Sequence, residues 1–254
     1  NMKQLCIDQP AFAERLLEGL NNIDWPESTK EMQRNWIGKS TGVEVEFNIV
    51  GGGKFSIFTT CIETIYGITF MVLAPDGKLV QDLMPRIKNQ EEVKAYIQQT
   101  LSKSDMDRTE LNKGKTGCRL EGIKAINPVN GREVEVFIGD FVLANYGTGA
   151  VMAVPSHDQR DFEYAKAHNI DMIQVIEGRD VSECAFEKQD YLGKGCKLIN
   201  SEEFTGLTVE EAKVAITKKL VAMGIAKEKV NYRFREWIFA RQRYWGEPVP
   251  IVHL

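Results

Sequence analysis

Residues 147–165, GTGAVMAVPSHDQRDFEYA, constrain the fold of this chain more than any other segment. A glycine-flanked turn leads into a short apolar strand, and a helix start follows directly after a proline. Gly147 and Gly149 allow positive φ angles and a close backbone approach, so N–H groups of the turn can face a ligand. The pattern therefore predicts a pocket beneath the turn, lined by the strand.

The start of this helix carries two carboxylates. Pro155-Ser156-x-x-Gln159 predicts Ser156 as the N-cap and Gln159 as the residue that closes a capping box. Asp158 and Asp161 follow three residues apart on one face. The helix dipole favours a carboxylate there, so we expect it to be ionised at neutral pH and suited to holding an ammonium group. The same charges are also typical of a solvated, well-capped helix start.

Composition places the chain among soluble globular proteins. Of its 254 residues 43% are hydrophobic and 27% are charged, enough for one large domain or two small ones. No segment has the apolar length of a membrane span, and the N-terminus lacks a signal-peptide pattern, so we expect a cytoplasmic protein without a membrane partner.

Charge and cysteine usage exclude two further classes. The net charge of −4 argues against a strongly basic nucleic-acid binder, but it leaves open a pocket that accepts only the end of an RNA strand. The five cysteines form no C-x-x-C pair and have no histidine spacing suited to zinc. We therefore expect reduced structural thiols and no metal.

Hydrophobic periodicity predicts a mixture of strands and helices. Strands are expected at 43–47, 55–60, 68–73, 134–142, 151–154 and 172–176, and helices at 10–36 with a break at Trp25-Pro26, 91–101, 158–169 and 208–223. The last of these helices carries a capping box of Thr208 and Glu211. The antiparallel-looking strands and interspersed helices favour an α+β fold around a closed or β-barrel-like sheet with peripheral helices.

Arginine and aromatic residues alternate in the last part of the chain, residues 232–253. Guanidinium groups and aromatic faces suit stacking on bases and pairing with phosphate, so this part could contact RNA. Coverage of the aromatic residues by a partner domain explains the pattern equally well.

Four separated blocks resemble one known family in order and spacing. They are MQRNWIGKS at 32–40, the threonine-rich segments within 58–70, residues 147–165, and residues 237–250. Together they are similar to the editing domain of bacterial-type leucyl-tRNA synthetases. The resemblance implies a helical segment at 1–38 that leads in from the parent catalytic region, an editing domain at 39–229, and an exit segment at 230–254 that returns to the catalytic domain.

The resemblance covers an isolated part of such an enzyme. With histidines only at 157, 168 and 253 the chain has no His-x-Gly-His element, and it has no Lys-Met-Ser-Lys-Ser loop. The fragment is therefore not expected to activate leucine. ATP and leucine would be used only by the catalytic domain of the parent, and no cofactor or metal is implied for the fragment itself.

Editing is needed because a hydrophobic pocket separates amino acids that differ by one methylene by only about 1–3 kcal/mol. The resemblance implies hydrolysis of the ester that joins norvaline, isoleucine or methionine to the 3′-terminal adenosine of leucine tRNA. The implied partners are this tRNA end and the parent catalytic domain. AMP or adenosine adducts of boron-heterocycle inhibitors would occupy the same pocket, and we expect a monomer.

The resemblance also implies the catalytic residues. Asp161 would bind the α-ammonium group of the substrate, with an exposed helix-terminal salt bridge as the alternative. Asp158 would orient the site or only cap the helix. Thr59 and Thr60 would offer hydroxyl groups to the ester, the water or the ribose, although β-branched residues are also ordinary in strands.

Further residues would bind the substrate. Thr64 would exclude leucine from the pocket by its branched side chain. Met152 and Val154 would line the amino-acid pocket, although apolar strand residues are more often core. The other implied contacts are those of Leu143, Ala144 and Tyr146 with the adenosine, and His157 as a positioning group.

One departure from the family bears on activity. The family motif Thr-Thr-Arg-Pro-Asp-Thr is replaced by Thr59-Thr60-Cys61-Ile62-Glu63-Thr64, so Cys61 stands in the substrate-binding segment where the family has a cation. Editing can persist without that arginine, or the chain can be a degenerate, weakly hydrolytic module that binds the tRNA acceptor end. A third hypothesis, a thiol hydrolase with Cys61 and His157, requires those two side chains to meet.

Overall fold

The computed structural model describes residues 6–102, 116–144 and 148–238. The chain divides into two compact units, one formed by Asn1–Thr41 with Val230–Leu254 and the other by Gly42–Lys229. Tyr146 and the residues after Ile238, which carry most of the arginine and aromatic pattern of the tail, lie outside the described ranges.

The described helices and strands alternate along the chain. The α-helices are α1 (Ala13–Gly19), α2 (Glu27–Ile37), α3 (Lys78–Leu83), α4 (Gln90–Leu101), α5 (Gln159–Ala167), α6 (Lys188–Tyr191) and α7 (Val209–Ala222). The strands are β1 (Cys6–Ile7), β2 (Ser40–Ile49), β3 (Lys54–Thr59), β4 (Phe70–Leu73), β5 (Gly117–Ile126), β6 (Glu133–Gly139), β7 (Ala150–Ala153), β8 (Ala226–Asn231) and β9 (Trp237–Ile238). A 3₁₀ turn, Ile62–Gly67, joins β3 to the region of β4.

A seven-stranded sheet forms the framework of the larger unit. Its order is β3-β2-β5-β6-β4-β7, and β8 pairs with β2. β4 and β6 are parallel, whereas the pairs β2 with β3, β2 with β5, β5 with β6 and β4 with β7 are antiparallel. The predicted α+β class is confirmed.

Of the two predicted forms of the sheet, closed or barrel-like, the closed form does not occur in the described part of the chain. The end strands β3 and β7 pack beside each other, yet no hydrogen-bonded ladder joins them within the described residues. β5 bends because its register against β6 shifts between Arg119 and Lys124, where Gly122 adopts a φ of +87°.

Apolar periodicity correctly predicts which faces are buried. Val43, Val45 and Phe47 alternate inward along β2. All four residues of β4 are buried, because Met71 and Leu73 enter one apolar cluster and Phe70 and Val72 enter another. The predicted strand therefore packs on both of its faces.

α7 matches the helix predicted near the C-terminal end of the larger unit. Thr208 and Glu211 form the expected capping box, and Val209, Ala212, Ile216 and Leu220 are all buried. The helix packs against the 3₁₀ turn Ile62–Gly67. α7 therefore supports the segment that carries the predicted threonines.

The smaller unit has a core of its own, formed by Ala13, Ile37 and Phe234. β1 and β9 pair antiparallel within it. No helix of the described residues is both long enough and apolar enough to cross a bilayer.

Candidate functional site

Asp158, rather than Ser156, is the N-cap of α5. The Asp158 carboxylate accepts hydrogen bonds from the backbone N–H groups of Arg160 at 2.9 Å and Asp161 at 3.2 Å. The predicted Ser156–Gln159 capping box is therefore wrong. The backbone N–H groups of His157 and Asp158 both donate to the Val154 carbonyl, so a tight turn precedes the helix and moves its start beyond Ser156.

Asp161 is tied to the end of the neighbouring strand. Its Oδ2 atom accepts a hydrogen bond from the Val154 backbone N–H at 2.9 Å. Among the described residues no donor forms a hydrogen bond with its other oxygen, Oδ1. The arrangement fixes the direction of the carboxyl group and leaves one oxygen able to accept from a ligand.

The charge state of Asp161 differs from the one predicted. Burial, and secondarily the nearby charge of Asp158, raise the pKa of Asp161 to about 8. The expectation of a fully ionised carboxylate at neutral pH is therefore wrong for the ligand-free chain. The helix dipole is outweighed because desolvation and a like charge both disfavour the anion.

Arg160 is the one cation that forms an ion pair with this pair of carboxyl groups in the described part of the chain. Arg160 bonds to Asp158 through two nitrogens, at 3.3 and 3.1 Å. Asp161 receives no such side-chain partner in the described part of the chain. A ligand cation would therefore be favoured beside Asp161.

Both ring nitrogens of His157 form hydrogen bonds with backbone groups. Nδ1 donates to the Phe186 carbonyl at 3.1 Å, and Nε2 accepts from the Val175 N–H at 3.0 Å. The side chain is 6% exposed, and burial lowers its pKa to about 4. The ring is therefore neutral at pH 7, and both nitrogens are occupied, which leaves no free nitrogen to act as a base for Cys61.

The bond from His157 also explains why residues 172–176 do not form the predicted strand. The Val175 N–H is taken by the His157 ring, and the Gln174 side chain donates to the carbonyls of Ile176 and Arg179. Only an isolated bridge joins Ile176 to Leu198. Side chains satisfy backbone groups that a strand ladder would otherwise use.

The threonine segment follows β3 directly. The Thr59 hydroxyl accepts from the Cys61 N–H at 3.0 Å, and the Thr64 hydroxyl donates to the Cys61 carbonyl at 2.8 Å. Thr60 differs, because its hydroxyl contacts only the Cys61 thiol, at 3.6 Å. Thr60 therefore has the least committed hydroxyl of the three and is the best placed to bond to a substrate or water.

Ile62 and Glu63 are two of the residues that depart from the family motif, and their side chains point into the protein interior. Both side chains have no exposed surface, and Ile62 belongs to the main apolar cluster. Burial raises the pKa of Glu63, although the charges of Lys213 and Lys188 act in the opposite direction. Its Oε2 atom is buried without a hydrogen-bond partner.

Tyr191 connects the helix start to the threonine segment. Its hydroxyl donates to the Glu63 carboxyl group at 3.4 Å, and its ring packs edge to face on His157 with centroids 6.1 Å apart. Sequence reasoning did not find this residue. It stands 128 positions from Glu63 in a segment with no periodic pattern, so no local signal indicates the contact.

Of the predicted pocket residues, Met152 lies on β7 and Val154 directly follows it. Val154 is buried in the main apolar cluster, and Met152 is half-buried against the same cluster. Leu143 is half-buried and Ala144 is exposed. Gly149 adopts a φ of +68°, as the turn requires, while Gly147 and Tyr146 lie outside the described residues.

The described residues contain neither a disulfide bond nor a cluster of metal-binding side chains. All five cysteines are described, and each is unpaired. No group of His, Cys, Asp or Glu side chains suited to a metal ion occurs within the described ranges. A cavity of about 470 Å³ beside β5 and β6 has Glu92, Arg119 and His168 in its lining but none of the predicted site residues.

Comparison with known proteins identifies the family. A model of the leucyl-tRNA synthetase editing domain matches residues 34–221. The chain belongs to the leucyl-tRNA synthetase editing-domain family. The segments that carry the threonines, Asp158 and Asp161 all lie within the matched range.

Individual relatives agree with this assignment. The chain is 45% identical over 242 residues to a leucine–tRNA ligase of Alkaliphilus oremlandii (strain OhILAs), a match that covers 95% of the chain and 30% of that protein. It is also similar to the crystal structure of a ternary complex of Agrobacterium radiobacter K84 agnB2 LeuRS with tRNA and LeuAMS. That match has a TM-score of 0.74 at 30% identity and covers 99% of this chain and 28% of that one. This editing-domain chain thus spans less than a third of the length of either relative.

Proposed function

We propose that this chain hydrolyses the ester bond of leucine tRNA that carries norvaline, isoleucine or methionine in place of leucine. Membership of the leucyl-tRNA synthetase editing-domain family supports an editing role, and the solved relative was crystallised with tRNA. The proposed partners are the 3′-terminal adenosine of leucine tRNA and the catalytic domain of a parent synthetase. ATP and leucine are assigned to that catalytic domain, and no cofactor or metal is proposed for the fragment.

The observation that carries the proposal is the environment of Asp161. Its carboxyl group is oriented by the Val154 N–H, and burial together with Asp158 disfavours its negative charge in the absence of a ligand. An α-ammonium group would supply the missing positive charge and lower the pKa of Asp161. An aminoacyl ester carries this group two bonds from the scissile carbonyl carbon, so a cation bound at Asp161 holds the ester in a defined place.

The reaction itself needs only water. Its oxygen attacks the ester carbonyl carbon, the bond to the ribose oxygen breaks, and the proton reaches that ribose oxygen, so the products are a free amino acid and deacylated tRNA. Thr60, whose hydroxyl is the least committed, orients the ester or the water. The neighbouring ribose hydroxyl of the substrate assists the proton transfer, because both His157 nitrogens are engaged with the backbone.

Selection against leucine is assigned to Thr64. Its side chain has no exposed surface and is held by the Cys61 carbonyl, so the branched carbon cannot move away from a larger substrate at low cost. Met152 and Val154 form the apolar wall, with Leu143, Ala144 and Tyr146 at the adenosine. AMP or adenosine adducts of boron heterocycles are proposed to bind in this pocket, and the chain is proposed to be a monomer.

Deacylation tests the proposal directly. Norvalyl-tRNA and leucyl-tRNA are incubated with the chain, with Asp161→Asn, and with Asp171→Asn as a control at an aspartate whose side chain is 89% exposed. We expect hydrolysis of norvalyl-tRNA but not leucyl-tRNA, a loss of roughly 100-fold in Asp161→Asn, and no change in the control. Equal rates in all three proteins would contradict the role of Asp161.

The departure at Cys61 and Ile62 defines the competing function. A degenerate module would bind the acceptor end of the tRNA and leave the ester intact. Binding of uncharged leucine tRNA without hydrolysis, by this chain and by a Cys61→Arg variant alike, would favour that function. Hydrolysis restored by Cys61→Arg would instead show that the lost cation had weakened an editing site.

A further inference from the structure

A lysine from outside the threonine segment reaches its backbone. Lys213 on α7 donates from Nζ to the Thr60 carbonyl at 2.8 Å, across 153 positions of sequence. α7 itself packs against the turn Ile62–Gly67 that follows the threonines. The contact is therefore supported by a helix whose start is capped and whose inner face is buried.

The position of this cation differs from that of a surface lysine. Residues 59–62 contain no basic side chain, and the next residue, Glu63, is a fully buried acid whose electrostatic neighbours include Lys213. Lys213 is half-buried, its ammonium group bonds to the Thr60 carbonyl, and its charge acts to lower the pKa of Glu63. A charged donor on a carbonyl forms a stronger hydrogen bond than a neutral one, so Lys213 can hold the Thr60 peptide in one orientation.

Lys213 shares the control of this orientation with Thr59, because the Thr60 carbonyl and the Cys61 N–H belong to one planar peptide. Thr59 and Thr64 use their hydroxyls on the backbone of Cys61 and so fix the residue after Thr60. The Thr60 hydroxyl itself has only the weak contact with the Cys61 thiol. A peptide held at both of its polar groups keeps the Thr60 Cα atom in place, and the Thr60 side chain projects from that atom.

We propose that Lys213 is a positioning residue of the editing site, which aims the Thr60 hydroxyl at the scissile ester by holding the Thr60 carbonyl. This inference rests on the proposed function. It assigns a specific task to a lysine on α7, and it makes the threonine segment depend on a cation supplied by another element.

A double-mutant cycle tests the proposal. Lys213→Met keeps the aliphatic stem and removes the charge, Lys213→Arg keeps a cation, and Lys218→Met is the matched control because Lys218 is exposed on the same helix. We expect Lys213→Met to lower kcat for norvalyl-tRNA roughly tenfold with KM unchanged, Lys213→Arg to restore most of it, and the control to have no effect. In a Thr60→Val background, Lys213→Met should cause no further loss.

A merely structural lysine would give a different pattern. Its removal would lower the melting temperature, and its effect on kcat would add to that of Thr60→Val rather than vanish. Additive losses, or full activity of Lys213→Met, would overturn the inference while leaving the proposed hydrolysis intact.

Amide hydrogen exchange tests the anchor without any reaction. The N–H groups of Cys61 and Thr64 are bonded within the threonine segment, so loss of the Lys213 contact should speed their exchange roughly tenfold relative to Lys218→Met. Equal exchange in the two variants would overturn the inference. If the unaltered chain fails to hydrolyse norvalyl-tRNA, the proposed function is wrong and the exchange result still decides whether Lys213 anchors Thr60.

Discussion

The Asp161 carboxyl group accepts a hydrogen bond from the backbone N–H of Val154, with 2.9 Å between Oδ2 and nitrogen. The bond joins the first turn of α5 to the residue that follows β7. It places a half-buried acid at the end of the strand that carries the proposed pocket residue Met152. Movement of either element would therefore change the position of the charge on which the proposed substrate binding depends.

Deacylation should depend on pH through Asp161. Its pKa is raised to about 8, first by burial and then by Asp158, so the anion that holds an ammonium group becomes populated as pH rises through this value. In Asp158→Asn one cause is gone, and asparagine still caps a helix. We expect the midpoint of the kcat/KM profile to move down by about one pH unit, after subtraction of spontaneous ester hydrolysis. An unchanged midpoint would show that Asp158 does not act on Asp161.

Acid should destabilise the chain through His157. Burial lowers its pKa in the folded chain to about 4 from the ordinary value of 6.5, so between these values the unfolded chain binds a proton that the folded chain excludes. The stability contribution is present above pH 6.5 and is lost as pH falls toward 4. Urea unfolding at about pH 5 should give a free energy about 2 kcal/mol lower from this group than at neutral pH.

A His157→Gln variant supplies the comparison for this effect. It should be less stable at neutral pH, because one side-chain amide cannot reproduce both ring hydrogen bonds, but its stability should fall less between neutral pH and about pH 5. If the two proteins lose the same free energy over this range, other groups cause the acid sensitivity.

Replacement of Glu63 by glutamine should stabilise the chain in mild alkali. The pKa of Glu63 is raised by burial, so its contribution is favourable below the unfolded value and is lost as pH rises through the folded value. Glutamine keeps an acceptor for Tyr191 and removes the buried charge. We expect the free energy of unfolding to rise by about 1 kcal/mol at about pH 8 and to be unchanged at about pH 4. A loss of stability at the higher pH would show that Glu63 is held as an anion by Lys213 and Lys188.

Gly42→Ala should displace the start of the threonine segment. A Cβ atom at Gly42 would lie 2.3 Å from the Thr59 carbonyl oxygen and 2.7 Å from the Phe58 ring. Since Val43 pairs with Thr59 across β2 and β3, the strand cannot yield without moving the threonines. We expect a cost of about 2 kcal/mol in unfolding free energy and slower deacylation of norvalyl-tRNA.

Gly19→Ala is the matched control for this substitution. Nothing lies within 4 Å of a Cβ built at Gly19, which ends α1. The variant should therefore keep full activity and equal or slightly greater stability, since alanine favours a helix. Full activity and stability of Gly42→Ala would mean that β2 and β3 can separate locally without disturbing Thr59.

Local patterns predicted elements buried on one face and one strand buried on both. The alternation along β2, the apolar run of β4 and the capping box of α7 each involve residues that are close together in the sequence. The helix start at residue 158 was less predictable, because Ser156 and Asp158 are both good caps and the Val154 carbonyl decides between them.

The sequence by itself determined the longer helices, the strands β2, β3, β4, β6 and β7 and their buried faces, together with the threonines and aspartates in motif-like segments. It did not indicate β5, the strand that lies between β2 and β6. Tertiary structure alone decided that His157 is occupied by two backbone groups, that Tyr191 meets Glu63, that Lys213 reaches Thr60 and that the sheet does not close. The physical reason is the separation in sequence between the interacting residues. Periodicity reports how a residue faces its own element, whereas desolvation and hydrogen bonds between distant segments depend on packing that no spacing along the chain encodes.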